Sequence, residues 1–341
     1  MLSKLSYAVT GELLSKLTLV IPLLLFMVWG GLALFYQLSS THKYLGYVMI
    51  GLWSLLIIST CYALLNAFYP RLFIPGSALA ALFLLVWWVN ITPSLHKNWA
   101  DDVARSSYGL IDNNRVLLSN VRNFTWRSDT DYDVRWEERQ VNIDQLNRVD
   151  MVLSYWMGPA VAHTLVSFGF EDGQHIVFSV EIRKEQHEKF SALGGFFKMF
   201  EMALVIADER DIIRTRSNIR GENVYLYEVD MSPDARRALF LAYIDKANEL
   251  LETPSFYHTL TANCTTIVYK MISNIVDGLT FNYRLLFSGY LPEYLYDLKV
   301  LAPSNSLTEL REQAHINERA KSSPDDPSFS EQIRIGIPRV F

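Results

Sequence analysis

Cys264 lies in the stretch "TLTANCTTIVYKM" (259–271), with small polar residues on both sides and an apolar helical pattern after it. A thiol becomes a useful nucleophile when a helix N-terminus or a nearby imidazole stabilises its thiolate. Asn263 suits the N-cap of a helix running from Cys264 to about Asp277. In the alternative interpretation, Cys264 is a small buried apolar residue without a chemical role.

The histidine that best suits this cysteine is His163. It stands in "AVAHTLVSFGF" (160–170), which alternates and is followed by an Asp-Gly turn and a second alternating run at 175–183. This pattern predicts a β-hairpin. A three-residue loop ending in a left-handed Gly173 places His163 opposite Glu181 on one face of the sheet, where a carboxylate would support the imidazolium. A two-residue turn would instead aim Glu181 at the other face.

Five other histidines lie beyond residue 92, and they are weaker candidates. His258 is close to Cys264 in the sequence but is predicted to lie on a loop, so it remains a rival base. His175 and His187 are expected to be exposed. The others are His96 and His315. No HxxxH or HExxH spacing occurs, so we expect neither a metal site nor a cofactor.

The aromatic and charged stretch 124–143 supplies candidate substrate-binding residues, and so does the basic pair after residue 210. The candidates are Trp126, Arg127, Tyr132, Arg135, Arg214 and Arg216, together with Asn263. The first four could line a headgroup or peptide groove, or form a solvated strand and loop with aromatic packing. The last two arginines could bind phosphate, or pair with the acids Asp208, Glu209 and Asp211.

The remaining elements follow from periodicity and capping signals. Predicted helical segments are 94–123 (in part), 184–202 with a break at Gly194-Gly195, 232–254 capped by Ser232, and a piece around 290–299; predicted strands are 136–143, 203–217 and 223–230. Helices and strands of this kind predict an α+β domain.

Three stretches without any charge occupy the N-terminal part of the chain, at 17–37, 44–69 and 72–92. Each has the roughly 20 residues needed to cross a bilayer, and a cleaved signal peptide would not be followed by two further spans. We therefore predict two parts: a three-helix membrane anchor at 1–92 and a water-soluble catalytic domain at 93–341.

The basic residues beside these stretches predict the orientation. Lys4 and Lys16 precede the first span and Arg71 separates the second from the third, whereas only Lys43 lies between the first and second. The positive-inside rule then favours a cytoplasmic N-terminus and a soluble domain outside the membrane. The net charge of −5 and the lack of a basic stripe make nucleic acid an unexpected partner.

Four ordered blocks between about 120 and 300 resemble the Lnb-type periplasmic domain, a bacterial family associated with lipoprotein N-acylation. They are "FTWRSDTDYDVRWEERQ", "HTLVSFGFEDGQHIVFSVEIR", "IADERDIIRTRSNIRGENVYLYEVD" and "PSFYHTLTANCTTIVYKM". The resemblance implies a permuted papain-like fold, related to NlpC/P60 domains, with an antiparallel sheet against a cysteine-bearing helix. It also implies Cys264 as nucleophile and His163 as base, and we assign Glu181 as the third polar member.

The resemblance further implies a bacterial inner-membrane protein whose domain faces the periplasm. The expected reaction moves an acyl chain from a phospholipid, through a Cys264 thioester, to the amine of a diacylglyceryl-cysteine at an apolipoprotein N-terminus. A cysteine hydrolase acting on cell-wall peptides or lipid esters is an alternative, and a non-enzymatic membrane-anchored scaffold is another. The three-span anchor is not part of the shared domain.

Overall fold

The computed structural model describes residues 2–38, 43–66, 70–304, 306–323 and 327–340. These residues form two compact units. The first comprises Met1–Pro93 and Ser191–Met199, and the second comprises Ser94–Phe190 and Phe200–Phe341.

The first unit is helical. Its helices are α1 (Leu2–Leu38), α2 (Lys43–Asn66) and α3 (Pro70–Val89). Each contains a segment long and apolar enough to cross a membrane: Leu14–Leu38, Lys43–Asn66 and Leu72–Val89. The three predicted spans therefore coincide with helices, although residues 67–69 of the second span lie outside the described residues. Residues 90–92 of the third follow the end of α3.

The segment Ser191–Met199 packs with these helices, and it is not the helix that we predicted for 184–202. Only a short 3₁₀ turn, Gly194–Phe196, forms there. The side-chain amide of Gln37 donates to the backbone carbonyls of Phe197 and Lys198, at 2.7 and 2.9 Å. Lys198 is left-handed, with φ of 52°. Two glycines and tertiary contacts therefore override the weak helical pattern.

The second unit is built on an eight-stranded sheet. The strands are β1 (Tyr108–Asp112), β2 (Arg115–Arg122), β3 (Thr125–Trp126), β4 (Tyr132–Asp133), β5 (Trp136–Asn142), β6 (Leu146–Tyr155), β7 (Ala162–Phe170), β8 (His175–Arg183), β9 (Glu201–Asp208) and β10 (Asn223–Glu228). The order is β1-β2-β9-β8-β7-β6-β10, with β5 also paired to β2 and with β3 and β4 forming a separate pair. β2 and β9 pair in parallel, and the other neighbours are antiparallel.

Seven further helices accompany the sheet in the described part of the second unit. They are α4 (Glu209–Arg214), α5 (Pro233–Glu252), α6 (Thr266–Ser273), α7 (Leu291–Asp297), α8 (Leu307–Ala314), α9 (Asn317–Ser322) and α10 (Phe329–Gln332). α5 and α7 match the predicted helices at 232–254 and 290–299, and the side chain of Ser232 caps α5 as predicted. The predicted α+β class is confirmed.

Two other predictions of secondary structure are wrong. Residues 94–123, predicted to be partly helical, hold a single 3₁₀ turn (Asp101–Val103) and the hairpin β1–β2. The strand predicted over 203–217 ends at Asp208, whose side chain accepts from the backbone N–H of Arg210 at 2.8 Å and caps α4. The N-cap signal of an aspartate outweighs the β-branched residues that follow.

Both faces of the sheet are covered, so two of its central strands are buried along their whole length. Every residue of β7 and β9 is buried. On one face, α5 and α6 pack against Phe168 and Phe178; on the other, Phe329 and Ile333 cover Val177. A polar side chain on β7 therefore lies in a dry environment unless a partner satisfies it.

Candidate functional site

The register of the β7–β8 hairpin places a histidine beside a carboxylate. The loop has three residues and ends at Gly173, whose φ is 86°, while the backbone N–H of Phe170 donates to the carbonyl of Gln174 at 3.0 Å. Pairing runs from Gly169↔His175 to Leu165↔Ser179. This is the predicted three-residue-loop register, and it brings His163 Nε2 to 3.1 Å from Glu181 Oε1.

Ser179 lies between these two groups. Its hydroxyl is 2.7 Å from His163 Nε2 and donates to Glu181 Oε1 at 2.8 Å. The same carboxylate oxygen accepts from Arg216 Nη2 at 2.9 Å. Glu181 is therefore held by three neighbours, and it fixes the imidazole from the side of Nε2. The nitrogen left to face another group is Nδ1.

The start of α6 positions Cys264 through a cap built on Asn263. The side chain of Asn263 accepts from the backbone N–H groups of Thr265 and Thr266, each at 2.9 Å. In return, the hydroxyl of Thr266 accepts from the Asn263 N–H at 3.0 Å. This reciprocal arrangement is a capping box. Asn263 thus makes the capping bonds predicted for it, and its carbonyl accepts from the N–H of Ile267 at 3.1 Å, although regular α-helix begins only at Thr266, with Thr265 in the N-cap position.

The helix itself is shorter than predicted. α6 spans Thr266–Ser273 rather than 264–277. Its last turn is tightened by bonds from Asn274 and Ile275 to carbonyls three residues back, and the chain then turns at Gly278, which has φ of 84°. Cys264 consequently stands in the first turn before regular α-helix begins.

The Thr164 and Thr265 hydroxyls lie 3.3 Å apart and bring the strand of His163 against the helix start of Cys264. Cys264 and His163 are both nearly enclosed, with exposures of 7% and 8%. The site thus consists of a cysteine at a helix start and a histidine on β7, beyond the last residue of that strand that pairs with β8.

The charges of the three groups support one another. Burial alone lowers the pKa of His163, but the Glu181 carboxylate and the Cys264 thiolate outweigh burial and the Arg216 charge, and raise it to about 9. Burial raises the pKa of Cys264, but the imidazolium and the Thr164 backbone bond bring it below its usual value. Burial likewise opposes ionisation of Glu181, yet His163 and Arg216 hold its pKa well below the usual range. Each of the three shifts favours the charged form of its group.

Arg216 extends this network instead of pairing with the acids in its own segment. Besides Glu181, it contacts Glu222 Oε2 at 3.4 Å, and Ser154 also donates to that carboxylate. Asp208, Glu209 and Asp211 instead contact Arg139, Arg334 and Arg122, respectively. Arg216 therefore contacts Glu181 and stabilises the negative charge of its carboxylate.

The structure brings Cys264, His163, Glu181, Asn263 and Arg216 together and gives the other candidates different neighbours. Trp126 is buried and donates to Asp211 at 2.7 Å, and Arg214 donates to the carbonyl of Trp126 at 3.0 Å. Tyr132 packs on the Trp126 ring, with centroids 4.3 Å apart. These contacts form an aromatic cluster around a buried aspartate.

The two exposed arginines of the same stretch have acidic neighbours. Arg127 contacts both Asp131 and Asp133. Arg135 donates to the carbonyl of Asn123 at 3.1 Å and lies 3.6 Å from Glu137. A role for this stretch in substrate binding remains a prediction.

His258, the rival base, has a different use. Its Nδ1 accepts from the backbone N–H groups of Leu260 and Thr261, at 3.3 and 3.2 Å. These bonds hold the loop that leads to the Asn263 cap. The ring of His258 therefore shapes the approach to Cys264, while His163 supplies the imidazole next to the sulfur.

Sequence reasoning missed Ser179 and the backbone of Thr164. A signal for the first was present, since Ser179 is two residues from Glu181 and alternation puts both on the face of His163. The Thr164 contact has no side-chain signal in the sequence, because the backbone makes it.

These features define a class: an α+β domain after three apolar helices, with a cysteine–histidine pair at a helix start. A family model, the Lnb N-terminal periplasmic domain, matches residues 132–303, which is half of the chain and includes both members of the pair. The chain belongs to this family, and the suspected resemblance is confirmed. No curated protein and no solved structure matches it. It is a membrane protein with a periplasmic domain.

Proposed function

We propose that this protein is a membrane-anchored cysteine acyltransferase that N-acylates lipoproteins. One observation carries the proposal: the buried Cys264 at the start of α6 and the buried His163, whose Nε2 is 3.1 Å from Glu181, lie on segments that meet where the Thr164 and Thr265 hydroxyls are 3.3 Å apart. Against the effect of burial, Glu181 raises the pKa of the imidazole and the imidazolium lowers that of the thiol. Nucleophile, base and orienting carboxylate are the parts that acyl transfer through a covalent intermediate requires. Membership of the periplasmic domain family supports the compartment in which the substrates occur.

In the first step, the Cys264 thiolate attacks an ester carbonyl of a phospholipid and forms a tetrahedral intermediate. The intermediate collapses as the carbon–oxygen ester bond breaks, and His163 gives its proton to the departing glycerol oxygen. The products are a lysophospholipid and an acyl thioester on Cys264. His163 is then neutral and ready to act as a base.

In the second step, the α-amine of the diacylglyceryl-cysteine at an apolipoprotein N-terminus attacks the thioester carbonyl. His163 takes a proton from the amine, the carbon–sulfur bond breaks, and the thiolate is regenerated beside an imidazolium. An amide forms, so atoms and charges balance over the two steps. Glu181 keeps the imidazole oriented throughout.

The negative oxygen of each tetrahedral intermediate requires hydrogen-bond donors. Asn263 accepts from the N–H groups of Thr265 and Thr266. Within the described residues, the N–H of Cys264 has no acceptor and lies at the same helix start. We assign this N–H to the oxyanion.

The test uses the full chain in phospholipid nanodiscs and intact-protein mass spectrometry. We expect an acyl mass increment on Cys264 that hydroxylamine removes. Cys264→Ser and His163→Ala should both lower transfer by about 10⁴-fold or more, the scale for loss of a nucleophile or its base. Cys61→Ser is the matched control, because Cys61 lies in α2 within the helical unit, and it should behave as wild type.

The acceptor is tested in cells by mass spectrometry of lipoprotein N-termini. The proposal predicts N-acylated termini that are lost in a Cys264→Ser strain. A thioester that forms but yields only free fatty acid, with unchanged lipoprotein N-termini, would point to the hydrolase instead. Unaltered function in both Cys264→Ser and His163→Ala would leave the scaffold as the explanation.

A further inference from the structure

A cavity of about 300 Å³ lies beneath α6, within the second unit. Its lining includes Val268 and Ile272 of α6, Leu239 of α5, Leu295 of α7, and Leu298 just after α7. This volume is at the low end of the range for small-molecule pockets. The cavity thus has room for one slender ligand.

One end of the cavity reaches the site. Thr164 and Thr265 both line it, and their hydroxyls are 3.3 Å apart. They are the immediate chain neighbours of His163 and Cys264. The hydroxyl of Thr265 lies 4.0 Å from Cys264 Sγ. The cavity therefore ends at the two threonines that adjoin His163 and Cys264 in the chain.

The interior surface is mainly apolar, and polar side chains in its lining are hydrogen-bonded to other parts of the protein. The hydroxyl of Tyr269 donates to the carbonyl of Leu279 at 3.2 Å, and that of Tyr294 donates to the carbonyl of Thr280 at 3.0 Å. The side chain of Ser232 is occupied in capping α5. Asp230, the acidic member of the lining, is exposed and marks the outer mouth. A phosphate would meet a like charge there.

The rim beside the mouth is also apolar. Val276 and Leu298 line the cavity and are exposed, and Phe281 is 61% exposed with its ring 6.0 Å from that of Tyr269. Exposed apolar side chains grouped in this way mark a surface that meets another apolar phase. The exposed edge of the cavity therefore carries apolar side chains.

We propose that this cavity holds the hydrocarbon tail of the acyl donor, with the carbonyl end at Cys264 and the tail running under α6 toward the mouth. The inference rests on the proposed function and adds the donor's binding mode. The occupant is a single unbranched acyl chain of a membrane lipid. Its headgroup is bonded at the carbonyl end and therefore lies beyond Cys264, outside the cavity, whose walls hold no cationic side chain among the described residues.

The first experiment compares water-soluble acyl esters from acetyl to octanoyl on the full chain in amphipol. Each methylene buried in the cavity should raise kcat/KM about fourfold. Ile272→Phe fills the cavity, so the ratio of octanoyl to acetyl kcat/KM should fall by about tenfold or more. Lys270→Phe is the matched control, since Lys270 is exposed on the same helix, and its ratio should equal that of wild type.

The second experiment does not depend on turnover. A diazirine-bearing fatty acid is photo-crosslinked to the Cys264→Ala chain, and the labelled peptides are mapped by mass spectrometry. We expect label in 265–300 that excess unlabelled fatty acid competes away and that Ile272→Phe removes. If the peptides are labelled but the wild-type chain forms no acyl thioester on Cys264, the cavity binds an acyl chain and the proposed acyltransferase function is contradicted. Conversely, an acyl thioester on Cys264 would support the acyltransferase. If kcat/KM were then equal across the ester series and no label were competed away by unlabelled fatty acid, the cavity would be rejected as the acyl site.

Discussion

At the scale of single residues, the site is a row of hydrogen-bonded groups that runs from Arg216 through Glu181 and Ser179 to His163. Ser179 and Glu181 hold Nε2 of His163, and Arg216 holds Glu181. The pairing of His163 with Glu181 was predictable from the sequence, because one loop length fixes the register. Ser179 and the partners of Arg216 were not, because they depend on contacts between elements.

Glu181→Gln tests the electrostatic part of this row. In the proposed mechanism acylation requires a thiolate and an imidazolium, so we expect activity to fall as pH rises through the His163 pKa of about 9. Without the carboxylate, burial lowers that pKa, and the alkaline limb of the pH–kcat/KM profile should move down by about one to three units.

The control for this experiment is Glu222→Gln, which removes a carboxylate that touches Arg216 at 3.4 Å. Its alkaline limb should stay where wild type has it. An alkaline limb at the same pH in Glu181→Gln would mean that the carboxylate has no part in holding the imidazolium. The readout is a profile, so a simple loss of folded protein does not imitate the result.

At the scale of elements, the start of α6 decides where the sulfur stands. The cap at Asn263 and the apolar stripe of α6 were visible in the sequence, as was α5 with its serine cap. The early end of α6 and the irregular segment Ser191–Met199 were not, because tertiary contacts override local preference there. The same holds at Asp208, where a strand pattern passes into a helix.

Asn263→Ala removes the acceptor of two N–H groups in the first turn. We expect a loss of about 1 kcal/mol in stability, the usual cost of an N-cap. Cys264 should also react more slowly with iodoacetamide near neutral pH, because the turn that presents the sulfur loosens.

Asn263→Ser is the matched variant, since serine caps as well as asparagine. Thermal unfolding and alkylation rate should both stay near wild type in this variant. If Asn263→Ala alkylates at the wild-type rate, the cap contributes stability alone and does not position the thiol.

At the scale of the whole molecule, the orientation follows from few charges. The basic residues near the spans predict a cytoplasmic N-terminus, and the family places the domain in the periplasm. We expect alkaline phosphatase fused after residue 341 to be active and β-galactosidase fused there to be inactive. Fusions after Asn66, between the second and third spans, should show the opposite pattern. Active β-galactosidase at residue 341 would contradict the proposed topology.

The placement of Ser191–Met199 has a practical consequence for truncation. Phe197 is stacked on Tyr36 at 5.6 Å, and Lys198 Nζ bonds the carbonyls of Trp88 and Ile91. A fragment starting at Ser94 would keep the segment but lose every one of these partners. The uncovered Phe197 ring would favour self-association, and the Lys198 ammonium would lose these two carbonyl acceptors, so such a fragment calls for detergent or for trimming of the segment.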